Sequence, residues 1–161
     1  NSVIKNFYSK HFNLQNLIGN YDIVIMNFSI QYVFQTKEGF KNFISELNRN
    51  TKINTQLYMS FITIEEDIYL PKGSYIKITE SQIKYDEEII KEVVPRWMRT
   101  YYTFRHYTPI NEPMINSEKM KELMKLYGWK FSKDFERENT IKNSWSQLND
   151  NIKRYGFIRI K

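Results

Sequence analysis

The stretch "YDIVIMNFSIQYVFQTKEGFKNFISELNRNTKINTQLYMSFITI", Tyr21–Ile64, decides the fold. It opens on a strand, Tyr21–Asn27, in which Ile23, Val24, Ile25 and Met26 form an unbroken apolar run. Such a run predicts burial on both faces, as in a parallel sheet. In "TKEGFKNFISELNRN", Phe40, Phe43, Ile44 and Leu47 recur at i, i+3, i+4 and i+7, which predicts an amphipathic helix. "TQLYMSFITI" then reads as a second strand. Strand, helix and strand with short connections make a βαβ unit, with parallel strands and a right-handed crossover. The tail of the first strand is less ordinary. Asn27, Phe28, Ser29, Ile30, Gln31 and Tyr32 mix amides with aromatics where a turn would be expected, which raises binding as an alternative to packing.

Upstream, "NSVIKNFYSKHFNLQNLIGN" carries scattered aromatics and ends on a Gly19-Asn20 turn signal. Downstream, "LPKGSYIKI" predicts a turn at Pro71–Gly73 and an alternating strand. Asp86–Glu92 is acidic and fits either a helix or a loop, and "PRWMRTYYTFRHYTP" reads as extended, aromatic and basic. Ser117 is placed to cap a helix with Met120, Leu123, Met124 and Tyr127 on one face and Gly128 at its stop. "WKFSKDF" predicts a strand with Trp129, Phe131 and Lys133 on one side. After a polar stretch, Asn149–Arg154 leads into a last strand, "YGFIRIK". The pattern is half of an α/β sheet, closed at one edge by antiparallel strands, in a single partial domain over residues 1–161.

With 161 residues and 41% apolar content, the chain can bury a core. It has no cysteine and only two histidines, His11 and His106, which excludes disulfides and thiolate chemistry and disfavours a zinc site. The net charge of +6 suits either a polyanion binder or plain solubility. No apolar run reaches the length of a membrane span and no signal peptide is visible, so the expected location is the cytoplasm without membrane attachment. The first residue is Asn1 rather than Met, as in a piece of a longer polypeptide. The five glycines, at 19, 39, 73, 128 and 156, are isolated, so no phosphate-cradling loop is present. The acidic pairs Glu65-Glu66 and Asp86-Glu87-Glu88 read as solvated faces, and no serine sits in a nucleophile elbow. What survives is chemistry that needs neither protein nucleophile nor base. Methyl transfer from a sulfonium to an unprotonated ring nitrogen is such a reaction, driven by alignment and electrostatics.

On this point the opening stretch is informative. "YDIVIMNFSIQYVF" resembles the fourth strand and following segment of class I S-adenosylmethionine-dependent methyltransferases. More narrowly, "NFSIQYVF" is similar to the Q-F-x-x-H-Y-x-F signature of mRNA cap guanine-N7 methyltransferases, including the poxvirus-type enzymes. "LYMSFITIEE" sits where that family has its fifth strand, and "TPINEPMINSEKMKELMKLYGWKF" resembles its T-P-x-x-E-Y segment, helix and following strand. "RYGFIRIK" resembles the terminal strand. The likeness runs in order from about Tyr21 to the end, more weakly between Asp67 and Arg99.

The resemblance implies S-adenosylmethionine as cofactor and capped RNA as partner, in a viral or virus-like capping system. It implies donor contacts at Asn27, Phe28 and Tyr32, and cap-guanine contacts at Phe28, Gln31, Tyr32, Glu112 and Tyr155. Glu112 stands at the glutamate that reads the guanine's Watson–Crick edge, and Gln31 replaces the family's histidine. No residue acts as catalytic acid or base, and no metal is needed. Arg96, Arg99 and Arg105, interleaved with Trp97, Tyr101, Tyr102 and His106, are expected to follow the RNA; an amphipathic strand with outward arginines is the plainer reading. The family's glycine-rich donor loop and the acidic residue ending its second strand have no counterpart here, so the donor-binding N-terminal half is expected on the same polypeptide or on another capping-enzyme subunit. Two alternatives stay open. One is an inactive, methyltransferase-like stimulatory subunit; the other is a class I methyltransferase with another substrate.

Overall fold

Strands β1 (Tyr21–Asn27) and β2 (Thr51–Ile62) run parallel, joined through helices α1 (Ile30–Val33) and α2 (Gly39–Arg49). The expected βαβ unit is therefore present, with β2 starting earlier than its apolar run. The computed structural model describes residues 19–103, 108–135 and 146–161. His11, Arg105 and His106 lie outside the described residues. Two further strands, β7 (Trp129–Asp134) and β8 (Ile152–Arg159), complete a four-stranded sheet in the order β1-β2-β8-β7. β8 is antiparallel to both β2 and β7, which closes one edge as the sequence implies.

Register sorts the side chains between the two faces. Val24 and Met26 sit opposite Leu57 and Met59, which in turn oppose Phe157 and Tyr155. This face meets Phe40, Phe43, Ile44 and Leu47 of α2 and Met120, Leu123 and Met124 of α4 (Ser117–Leu126) in one buried cluster. Each such buried side chain contributes roughly 1.5–3 kcal/mol relative to exposure.

The other face of β1 departs from expectation. Ile23 and Ile25 are 57% and 64% exposed rather than buried on both sides. β1 is the terminal strand among the described residues, and the packed helices all lie on its Val24/Met26 face. An apolar run thus reports how a strand is suited to be covered, and here only one of its faces is.

A second four-stranded sheet, not anticipated from sequence, is inserted between β2 and α4. Its strands β3 (Ile68–Tyr69), β4 (Tyr75–Glu80), β5 (Arg96–Tyr101) and β6 (Ile110–Met114) are all antiparallel. The predicted turn at Pro71–Gly73 joins β3 to β4, and the acidic segment forms α3 (Glu88–Val93). Ile68, Ile76, Met98 and Met114 line a smaller core of their own.

Two local readings need correction. α4 is capped by Asn116, whose Oδ1 accepts from the N–H groups of Glu118 and Lys119 at 3.1 Å; Ser117 is its first helical residue. A residue can cap only from extended backbone just outside the helix, and Asn116 has that conformation. In β7, Phe131 pairs with Phe157 but Lys133 pairs with Gly156, so a bulge at Ser132 puts Lys133 on the opposite face from Phe131. A strict two-residue alternation cannot register that extra residue.

Candidate functional site

β1 ends abruptly. Phe28 has φ 49°, a left-handed backbone that costs a non-glycine residue about 1–2 kcal/mol. Its N–H donates to Ser60 O at 2.9 Å, and its carbonyl accepts from Gln31 Nε2 at 2.9 Å. These two bonds hold the kink and turn the ring outward, where it is 42% exposed. Beside it, Ser60 Oγ donates to Asn27 Oδ1 at 3.2 Å, joining the last residue of β1 to β2.

Asn27, Phe28 and Ser60 border a cleft of about 470 Å³ at the carboxyl ends of the parallel pair. Open α/β sheets bind ligands there, because backbone and side-chain groups at strand ends are free of the ladder. The opposite wall comes from Tyr58, Phe135, Arg154 and the Met59–Tyr155 pair. Phe135 packs edge-on against Tyr58, with ring centroids 5.2 Å apart, and Lys133 Nζ lies 4.3 Å from its centroid. Gly156 makes this possible. A Cβ there would stand 2.9 Å from Phe135 Cε2 and 3.0 Å from Ser132 Oγ. Arg154 is half-buried and is the one charged side chain of the lining among the described residues. Among the described residues no carboxylate, histidine or cysteine lines the cleft, whose titratable side chains are Tyr58, Tyr155 and Arg154; this lining offers chiefly binding and orientation.

The residues predicted for the site are divided by the structure. Asn27, Phe28 and Tyr155 line the cleft. Tyr155, however, is only 2% exposed and lies in an aromatic cluster with Phe61, Phe131 and Phe157. Lys121 Nζ is 4.7 Å from its ring centroid and 4.3 Å from that of Phe131. Burial pulls the Lys121 ammonium down, but its ion pair with Glu118 and the nearby Tyr155 hydroxyl outweigh that and raise it. Tyr155 is therefore a floor, not a reaching side chain. Gln31 is 8% exposed and bonded to the Phe28 carbonyl, so it shapes the strand end instead of facing the cleft. Tyr32 is 37% exposed outside the lining. Glu112 is half-buried on β6 opposite Met98, and α1 lies against that strand, so Gln31, Tyr32 and Glu112 fall on neighbouring elements. Arg96 and Arg99 project from opposite faces of β5. Sequence reading missed Tyr58, Ser60, Phe135 and Arg154. Only the "RYGF" segment hinted at them, through a glycine beside aromatics.

No family model and no curated protein matches the sequence. Solved structures do match in shape. An S-adenosylmethionine-dependent methyltransferase from Listeria monocytogenes aligns with TM-score 0.56 and 6% identity, over 94% of this chain and 68% of that one. The CcbJ methyltransferase from Streptomyces caelestis aligns with TM-score 0.54 and 7% identity, over 99% and 63%. The glycopeptide N-methyltransferase MtfA, solved with S-adenosyl-L-methionine, aligns with TM-score 0.50 and 8% identity, over 89% and 55%. At these identities the likeness is one of fold. The chain has the mixed α/β architecture of class I methyltransferases, and it spans between 55% and 68% of the length of these three structures. Among the described residues no helix is long and apolar enough to cross a membrane, and no cluster of three metal-ligating side chains occurs.

Proposed function

We propose that this chain is the acceptor-side half of an S-adenosylmethionine-dependent methyltransferase whose substrate is N7 of an mRNA cap guanine. The observation that carries the reading is the cleft at the ends of β1 and β2, bordered by Asn27 and Phe28 and lined, among the described residues, by no carboxylate, histidine or cysteine. Its residues fit the acceptor side of a donor pocket. The kinked Phe28 presents an aromatic face, Asn27 an amide, and the exposed face of β1 stands ready for a complementary half. S-adenosylmethionine, when bound, supplies an electrophilic methyl on a sulfonium. An acceptor ring nitrogen would need no proton taken from it, so this chain's residues would be asked only to bind and align. Asn27 and Phe28 seat the donor, and Tyr32 borders it from α1. Glu112 accepts from N1–H and the exocyclic amine of the guanine, and Arg154 faces an anionic part of the acceptor such as the triphosphate bridge. Gln31 acts through Phe28 as a positioning residue.

The test uses the full polypeptide or complex that carries the donor-binding half. Transfer of labelled methyl to GpppA-capped RNA, with 7-methylguanosine recovered on digestion, is the expected result; equal transfer to uncapped RNA would sink the cap assignment. A second reading, a methyltransferase-like stimulatory subunit, is favoured by the burial of Gln31. It predicts that Asn27→Ala leaves transfer by the complex unchanged, whereas the catalytic reading predicts a loss of about tenfold or more.

A further inference from the structure

The second sheet carries a feature that the cleft does not use. Its inner face holds Ile68, Ile76 and Met98 in the smaller core. By strand register, the other face brings together Tyr69 and Tyr75, Tyr75 and Tyr101, then Lys77, Arg99 and Asn111, before its far end, Thr79, Trp97 and Pro113, passes into the main core at Trp97. The rings form a graded series. Tyr75 and Tyr101 stack at 4.4 Å with a 17° interplanar angle, while Tyr69 and Tyr75 stand 6.4 Å apart and tilted by 38°. Arg99 Cζ lies 5.3 Å from the Tyr101 centroid, so a guanidinium extends the series at one end. At the other end Tyr69 is 75% exposed, an outlay of apolar surface that packing does not explain.

The paired strand residues of this face carry charge of one sign. Lys77 is exposed beside Arg99, and across β3–β6 no carboxylate shares the face. Glu80 and Glu112 lie on the opposite side, and Arg96 stands there across from Glu80. Asp67 accepts from the Ile78 N–H along the edge of the sheet. Exposed Tyr69 and half-buried Tyr75 and Tyr101, with Lys77 and Arg99 beside them on an antiparallel sheet, suit a ligand of flat rings joined by phosphates. Four-stranded sheets with such aromatics stack about two or three bases.

We infer that the Tyr69–Tyr75–Tyr101 face of the second sheet, with Lys77 and Arg99, is a docking platform for single-stranded RNA. The choice of RNA over other single strands rests on the cap reading above. Bases stack against Tyr69 and the Arg99 end of the series, and Lys77 and Arg99 neutralise phosphates. Arg96, on the other face, takes no part.

The platform is tested by fluorescence anisotropy with a 5′-labelled, uncapped ten-nucleotide RNA and no methyl donor, using the full polypeptide. Tyr69→Ala is expected to weaken binding about tenfold, as for loss of one stacked base. Lys77→Gln is expected to lower the slope of log affinity against log salt by about 0.7. Both side chains are exposed, so the fold should tolerate either change, and an unshifted melting temperature checks it. Affinities within twofold of the parent and an unchanged salt slope would overturn the platform, as would duplex RNA binding as tightly as the single strand. The two readings fail separately. Methyl transfer to the dinucleotide GpppA, which has no RNA body to stack, reports on the cap reading alone. Tyr69→Ala should reduce transfer to capped RNA and spare the dinucleotide.

Discussion

Phe28 pays for its position in backbone strain, and that makes its contribution separable. Phe28→Gly removes both the ring and the left-handed penalty. We expect a melting temperature within a few degrees of the parent, together with a loss of about tenfold or more in donor affinity measured by calorimetry on the complete enzyme. Gln31→Ala is expected to act differently, destabilising the fold by about 1 kcal/mol because the Phe28 carbonyl loses its partner. Tyr85 makes a third case. Its hydroxyl donates to Phe34 O, and burial pushes it from the ordinary 10 up to about 12, against an opposing pull from the Trp97 indole. The folded chain therefore keeps this proton longer than the unfolded one. Stability should hold below pH 10 and fall as pH rises from about 10 through 12, and Tyr85→Phe should flatten that part of a denaturation-against-pH curve. Such single-residue matters were the least legible in the sequence. Nothing in "NFSIQYVF" announces a positive φ, and Gln31 turns inward because the kinked Phe28 carbonyl needs a donor.

Elements were read more successfully, because periodicity is a property of many residues at once. The α2 face of Phe40, Phe43, Ile44 and Leu47 is buried as its spacing requires. What spacing could not reveal is how α2 is tied in. A Cβ on Gly39 would stand 1.9 Å from Val33 O, so the helix starts in contact with the end of α1. Gly39→Ala should force the two apart and cost about 2–4 kcal/mol by chemical denaturation, although alanine is the better helix former. At the other end of α2, Asn48 accepts from Trp129 Nε1 at 2.8 Å and donates to Tyr127 O at 3.2 Å. Arg159 Nη1 donates to Asn48 O at 2.5 Å, close to the helix carbonyl end where a cation is favoured. Asn48→Ala would leave the fully buried Trp129 indole without its acceptor, an expected loss of about 1–3 kcal/mol.

For the molecule as a whole, the half-sheet character was legible from the order of its elements, while the second sheet was not. The segment from Ile68 to Met114 mixes short strands with α3 and turns, and pairings between such short strands depend on contacts that sequence spacing does not encode. The exposed face of β1 is the main property at this scale. Ile23→Thr with Ile25→Thr should leave the α2–α4 core intact and reduce self-association of the isolated chain in sedimentation experiments. The same pair should weaken assembly with a donor-binding half.

The bulge at Ser132 has an evolutionary reading. Because β7 carries one residue more than its partner there, Lys133 stays off the core and Phe135 closes over Gly156. The wall of the cleft is thus set by how many residues β7 contains as well as by which they are. Relatives with acceptors of other sizes would be expected to differ at this point by a gained or lost residue, a change that comparing side chains position by position would miss.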